Sequence, residues 1–148
     1  MLELFCGMKC AGKVFQTKYD VISLDYNPEF NATHTEDILT WDYTIYKPNT
    51  FEVIWASPDC TTWSIATGGR YRTKANILST LPKGKDGEKM VDRLIEIIDY
   101  FKPKYWFIEN PRGLMTYYPP MMELEKNNYK TLVYYGNYDW GFPKATHI

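Results

Sequence analysis

The sequence predicts an α/β fold, a mostly parallel sheet flanked by helices on both faces. Apolar runs of strand length recur along the chain, at Leu2 to Phe5, Val21 to Leu24, Val53 to Ala56 and Tyr105 to Ile108. Their β-branched and aromatic content suits strands buried on both sides. Helix-compatible segments alternate with them, and strand–helix alternation builds a parallel sheet. The runs at Val53 and Tyr105 end abruptly in reactive side chains, and in open α/β sheets ligands gather beyond the carboxyl ends of the strands.

Taken in order, the first run is broken by Gly7, and Ala11 to Phe15 continues as a helix after the glycine-bearing turn. Val21 to Leu24 stops at Asp25. Pro28 to His34 suits a short helix, because proline is tolerated in a first turn. Asp37-Ile38 opens another brief segment, and Val53 to Ala56 leads into Ser57-Pro58-Asp59-Cys60. Thr61 to Gly87 reads as one long loop, punctuated by Gly68, Gly69, Pro82, Gly84 and Gly87; loops of that length are uncommon unless functional or mobile. From Glu88, the spacing of Met90, Val91, Leu94, Ile95, Ile97, Ile98 and Phe101 predicts a helix with a broad apolar face, ended by Pro103. Tyr105 to Ile108 is a buried strand. A short helical stretch around Met121 to Lys126 follows Pro119-Pro120, and Thr131 to Tyr135 alternates like a strand up to Gly136.

At 148 residues, 45% hydrophobic and 17% aromatic, the chain reads as one domain with ample material for a core. A net charge of -1 offers no global attraction to polyanions, so contact with nucleic acid must come from a local patch. Cys6, Cys10 and Cys60 form an odd set without metal-ligand spacing, and only His34 and His147 supplement them, so neither a disulfide framework nor a metal site is expected. The N-terminal stretch lacks a basic region and a long apolar run, which argues for no membrane span and a reducing, cytoplasmic setting.

Cys60 and Glu109 carry the chemistry. Each follows a strand end, and a thiol beside a proton donor suits covalent catalysis. A free cysteine is more often a small buried hydrophobe, so the pattern around Cys60 must carry the inference. At the first turn, Gly7 lets the backbone approach a ligand while the helix start offers unpaired amides. Asp25, at the end of the second strand, sits where an acid can accept both ribose hydroxyls of an adenosine cofactor. Asp37 is weaker evidence, since an acid near a turn is often a solvated cap, and Ile38 beside it is placed to pack on an adenine face.

On these residues the chain resembles the cytosine-C5 DNA methyltransferases, most of all the short members encoded by bacteriophages. Leu2-Glu3-Leu4-Phe5-Cys6-Gly7 is similar to the family's opening S-adenosylmethionine motif, Leu24-Asp25 to the ribose motif and Glu36-Asp37-Ile38 to the adenine motif. Ser57-Pro58-Asp59-Cys60-Thr61-Thr62-Trp63-Ser64 is similar to the nucleophile motif, and Phe107-Ile108-Glu109-Asn110-Pro111 to the Glu-Asn-Val motif. The resemblance implies a Rossmann-like S-adenosylmethionine-dependent methyltransferase fold, with residues 1–148 as the catalytic domain. It implies S-adenosylmethionine as cofactor, held by Phe5, Cys6, Gly7, Asp25, Tyr26, Asp37, Ile38 and Pro58. It implies DNA as partner, with Cys60 attacking C6 of a flipped cytosine and Glu109 hydrogen-bonding its N3 and exocyclic amine. Ser64, Arg70, Arg72, Asn110, Arg112 and Lys144 are the expected substrate contacts.

Arg70 to Arg93 carries seven basic residues against three acidic ones, and Arg70 and Arg72 are the favoured phosphate contacts. Several positions depart from the family pattern. Lys9 replaces the second glycine of the cofactor turn, and Asp59 stands where the family has the proline directly before the nucleophile. An anion beside a nucleophilic sulfur opposes its ionisation unless it is turned away or paired. The arginine-bearing motif corresponds only loosely to Tyr135-Gly136-Asn137 through Pro143-Lys144-Ala145-Thr146-His147, with Arg112 or Lys144 as substitutes. No target-recognition region is identifiable, which points to a homodimer or a second polypeptide supplying recognition, with Tyr117, Tyr118 or Trp140 at the interface. Two alternatives stand beside the DNA methyltransferase: a catalytically silent binding module of the same fold, and a C5 methyltransferase acting on RNA or a free pyrimidine nucleotide.

Overall fold

The computed structural model describes residues 1–126, 128–134 and 145–148 and divides the chain into two compact units, Met1–Pro58 with Met90–Ile108, and Asp59–Lys89 with Glu109–Ile148. The first unit is built on a five-stranded parallel sheet of β1 (Leu2–Leu4), β2 (Ile22–Asp25), β3 (His34–Thr35), β4 (Val53–Ala56) and β5 (Tyr105–Ile108), in the order β3-β2-β1-β4-β5. Chain progress reverses direction between β1 and β4, with α1 (Cys10–Phe15) following β1 on one side of that reversal and α2 (Pro82–Phe101) following β4 on the other. Leu4 pairs Leu24 and Ala56, and Ala56 pairs Ile108, so β1, β4 and β5 end level with one another.

The core follows the apolar periodicity. Leu2, Leu4, Val53, Ile54, Val91, Leu94, Ile97 and Phe101 are all buried, each stabilising the fold by about 1.5–3 kcal/mol. Aromatic rings close one side of it, with Phe51 and Phe101 meeting edge to face at 4.9 Å and Tyr43 and Tyr100 tilted against each other at 4.9 Å. The helix expected over Pro28 to His34 is instead a single 3-10 turn, Pro28–Phe30, followed by strand β3. The Asn27 side chain caps the turn through the Glu29 N–H, and Asn31, left-handed at φ 49°, stops it.

The second unit carries an antiparallel three-stranded sheet, β6 (Asn110–Pro111), β8 (Ala145–His147) and β7 (Leu132–Tyr134), in the order β6-β8-β7. The strand expected at Thr131 to Tyr135 is therefore present as β7 but belongs to this separate sheet rather than to the parallel one. A short helix, α3 (Pro119–Glu125), starts on its two prolines, which need no N–H partner there. The long loop expected up to Gly87 ends earlier: Ile65–Thr67 is a 3-10 turn, and α2 starts at Pro82. Gly84 and Gly87 thus lie inside a helix, where an added Cβ would meet Ser79 Oγ at 2.0 Å and Thr62 Oγ1 at 2.4 Å. They weaken the helix by about 1 kcal/mol each relative to alanine, and allow the loop to pack against its backbone.

Candidate active site

In the first unit the chain leaves the carboxyl end of β1 through three left-handed residues, Phe5 (φ 55°), Gly7 (φ 46°) and Lys9 (φ 57°). Such a turn is uncommon outside glycine and bends the backbone sharply. Asp25 fixes it: one carboxylate oxygen accepts the Gly7 N–H at 2.9 Å and the other the Asn27 N–H at 3.0 Å. The Lys9 ammonium reaches the Asn31 carbonyl, so the residue in place of a second glycine ties the turn to the segment after β2. Glu3, buried in the middle of β1, accepts the Gly12 N–H at 3.0 Å, and burial raises its carboxyl above the ordinary value against the backbone donors of Gly12 and Ala11. A Cβ on Gly12 would sit 2.4 Å from Glu3 Oε2, so helix and strand approach as closely as glycine permits.

These residues fit an adenosine-bearing cofactor. The space around Gly7 is open, with nothing within 4 Å of a Cβ placed there, while Asp25 supplies a buried carboxylate and Tyr26 a ring 76% exposed. Asp37 is exposed, but its Oδ1 accepts the Leu39 N–H at 2.9 Å, which makes it a turn cap as well. Ile38 is a correction: at 4% exposure its side chain is part of the core, and Tyr26 is the exposed apolar group nearby in sequence. Pro58 is buried. Cys6 is buried too, and burial, then Asp25, pushes its thiol up to about 11, which leaves it in the inert thiol form.

Cys60 and Glu109 belong to the same compact unit, the second. Cys60 is half-buried and begins a tight turn in which its carbonyl accepts the Trp63 N–H at 3.0 Å. Asp59 is paired within that turn, Oδ1 accepting the Thr61 N–H at 2.9 Å and the Thr61 hydroxyl at 2.6 Å, so its charge is directed along the chain. Glu109 accepts a hydrogen bond from the hydroxyl of Thr146, which is fully buried in β8. Asn110 and Pro111 run as β6 beside β8, with Asn110 opposite His147 and Pro111 opposite Thr146. The segment after Cys60 and the segment after Glu109 join directly: the Leu114 N–H donates to the Trp63 carbonyl at 2.8 Å. A Cβ on Gly113 would lie only 2.6 Å from that same oxygen.

Arg72 is corrected from a phosphate contact to an interior residue. It is 2% exposed, its guanidinium lies 3.5 Å from the Trp63 ring centroid, Nη2 donates to the Gly84 carbonyl at 2.7 Å and Nη1 sits 3.4 Å from Glu88 Oε1. Burial pulls its pKa below the ordinary arginine value while Glu88 opposes the shift. Arg70 is exposed, its guanidinium 5.5 Å from the Tyr71 ring, and Arg112 is exposed beyond β6. A cavity of about 560 Å³ opens in this loop, with Arg70, Tyr71 and Arg72 in its wall. The Ser64 hydroxyl accepts the Ala66 N–H at 3.1 Å and so caps a 3-10 turn. Lys144, Trp140 and Tyr135 to Asn137 lie outside the described residues. Tyr117 is 40% exposed with the Lys74 ammonium 4.6 Å over its ring, and Tyr118 is buried.

Glu3, Trp63, Gly113 and Thr146 are positions whose roles the residue pattern did not announce. Glu3 alone left a trace, an acid in the middle of an apolar strand. Among the described residues no group of three or more His, Cys, Asp or Glu is arranged to hold a metal, and no helix is long and apolar enough to cross a membrane.

No family model matches the chain. It is 31% identical over 158 aligned residues to a "Probable DNA (cytosine-5)-methyltransferase" of Frog virus 3 (isolate Goorha), an alignment that spans 100% of this chain and 68% of that protein. This relative is a frog virus protein, so it lends nothing to a bacteriophage origin. The crystal structure of the S. pombe Dnmt2 methyltransferase matches 99% of this chain at a TM-score of 0.62 and 18% identity. The chain spans about half of that structure, covering 48% of it, and the likeness establishes the Rossmann-like methyltransferase fold. Through its full-length identity with the viral relative, the chain belongs to the cytosine-5 DNA methyltransferase family.

Proposed function

We propose that this chain transfers a methyl group from S-adenosylmethionine to C5 of a cytosine in DNA, through a covalent adduct between Cys60 and C6 of the base. The observation that carries the reading is the joint between the two reactive segments: Cys60 and Glu109 lie in one compact unit, tied by the Trp63–Leu114 hydrogen bond. In the proposed mechanism the Cys60 thiolate forms the bond to C6, and the C5=C6 electron pair moves onto C5. Glu109, oriented by the Thr146 hydroxyl, hydrogen-bonds N3 and the exocyclic amine as charge develops there. When bound, S-adenosylmethionine would supply an electrophilic methyl group for C5, its sulfonium S–CH3 bond breaking as the C5–CH3 bond forms. Loss of the C5 proton with expulsion of the Cys60 sulfur then restores the aromatic ring. Covalent attack is needed because C5 is a poor nucleophile, and the adduct divides one difficult step into two easier ones.

A stacked base exposes neither face, so the cytosine must leave the helix, at a cost of roughly a few kcal/mol. Asp25 and the left-handed turn at Phe5, Gly7 and Lys9 are proposed to hold the adenosine end of the cofactor, with the Tyr26 ring against it. Arg70 and Arg112, both exposed, are the proposed phosphate contacts, and Ser64 and Asn110 are the proposed contacts to the base. The test is label transfer from methyl-labelled S-adenosylmethionine to a panel of DNA and RNA, with Cys60→Ser beside the native protein. Label in DNA from the native protein and none from Cys60→Ser is the expected result. Equal transfer by both would remove the mechanism, and label in RNA alone would move the substrate.

A further inference from the structure

We infer that Arg72 is a positioning residue for Cys60, acting through Trp63. The inference rests on the reading of Cys60 as the nucleophile and adds the device that holds it in place. Trp63 is 1% exposed and follows Cys60 by three residues. Its backbone is used twice, the N–H closing the turn on the Cys60 carbonyl at 3.0 Å and the carbonyl receiving the Leu114 N–H at 2.8 Å. The backbone conformation of that one residue, whose two flanking peptides make these bonds, therefore sets both the Cys60 turn and its spacing from the segment that continues Glu109. The Asp59 carboxylate holds the start of the turn through Thr61, and the buried indole holds its end.

Arg72 provides the grip. Its guanidinium packs 3.5 Å from the indole centroid, while Tyr118 meets the same indole at 5.2 Å. The guanidinium is anchored in turn by the Gly84 carbonyl at 2.7 Å and by Glu88, whose Oε1 also accepts the Ser79 N–H at 2.7 Å. Gly84 and Glu88 are on the first turns of α2. The bracket thus runs from helix to guanidinium to indole to the Cys60 turn. Only arginine joins a flat stacking face to a forked set of donors, so lysine at this position keeps the charge and loses the geometry. A positional error on the order of 1 Å at a reacting group costs about 100-fold in rate.

Native protein, Arg72→Lys and Arg72→Met are compared by three measurements: thermal unfolding, kcat and KM for methyl transfer to DNA, and the rate at which iodoacetamide alkylates Cys60, read by peptide mass on folded protein. The expected result for Arg72→Lys is a folded protein with kcat lower on the order of 100-fold, KM for DNA nearly unchanged and an altered Cys60 alkylation rate. A purely structural role would lower Tm while leaving kcat per folded molecule and alkylation at native values, and that result overturns the inference. If Arg72→Met does not fold, Trp63→Phe, which shortens the stacking face with Arg72 in place, should reproduce the Arg72→Lys signature; native kcat and alkylation in Trp63→Phe count against it. Should the native protein transfer no methyl group, the enzymatic reading fails by itself, and alkylation still decides whether Arg72 orders the Cys60 turn.

Discussion

Replacing Gly113 by alanine probes the spacing between the two reactive segments with a single methyl group. The new Cβ would stand 2.6 Å from the Trp63 carbonyl oxygen and 3.3 Å from that of Pro111. Both neighbours are backbone, so neither can swing aside as a side chain end would. Ordinary carbon contacts begin near 3.4 Å, and the joint must open by about 0.8 Å to reach that distance. Overpacking of this kind costs about 1–3 kcal/mol, and loss of the Leu114 to Trp63 hydrogen bond adds about 1 kcal/mol. A loss of about 3 kcal/mol lowers Tm by roughly 6–12 °C in a chain of this size. The same opening moves the Cys60 turn against the strand that continues Glu109, so kcat should fall on the order of 100-fold well below the melting range. Circular dichroism melts and single-turnover label transfer measure both quantities. A Gly113→Ala protein that melts within about 2 °C of native and keeps its kcat within about twofold would refute the reasoning.

Thr146→Val keeps the shape of a fully buried side chain and removes the hydroxyl that orients Glu109. A hydrogen bond to a carboxylate contributes about 1.5–3 kcal/mol, so kcat/KM should fall roughly 10- to 150-fold, and an unchanged value would detach Thr146 from Glu109 chemistry. Glu3→Gln should be more stable than native at neutral pH, because burial raises the Glu3 carboxyl in the folded state and charging it there is costly. Both states are protonated below the unfolded value of 4.5, so the advantage should vanish as pH falls through the raised folded value toward it; urea titrations showing a pH-independent difference would contradict this. Arg70→Ala removes an exposed guanidinium, and it should raise KM for DNA and flatten the dependence of log KM on log salt by about 1, whereas an identical slope would take Arg70 off the phosphate path.

The strands were legible from their apolar runs, although Tyr105 to Ile108, expected to be buried, is the edge strand of its sheet with Tyr105 exposed. Val53 to Ala56 and Tyr105 to Ile108 are strands over the expected residues, because continuous apolar runs have no other way to be covered in an α/β sheet. Asp25 at a strand end was legible for the same reason, since the apolar run stops there. Helix α2 was only partly legible: Gly84 and Gly87 read as loop punctuation, yet both lie in the helix, where Ser79 and Thr62 come too close for a Cβ. Arg72 was read as a surface cation because arginine in a basic stretch usually is one. Its burial depends on Trp63, Gly84 and Glu88 meeting in space, a coincidence that no local spacing encodes. Thr146 was invisible likewise, for its role arises from the register that sets β8 against β6.

Pro111 lies in β6, the outermost strand on its side of the smaller sheet. Lacking an amide hydrogen, it gives an incoming chain one donor fewer to zip onto. The residue that departs from the family's valine therefore also makes that flank a poorer template for fibre-like growth.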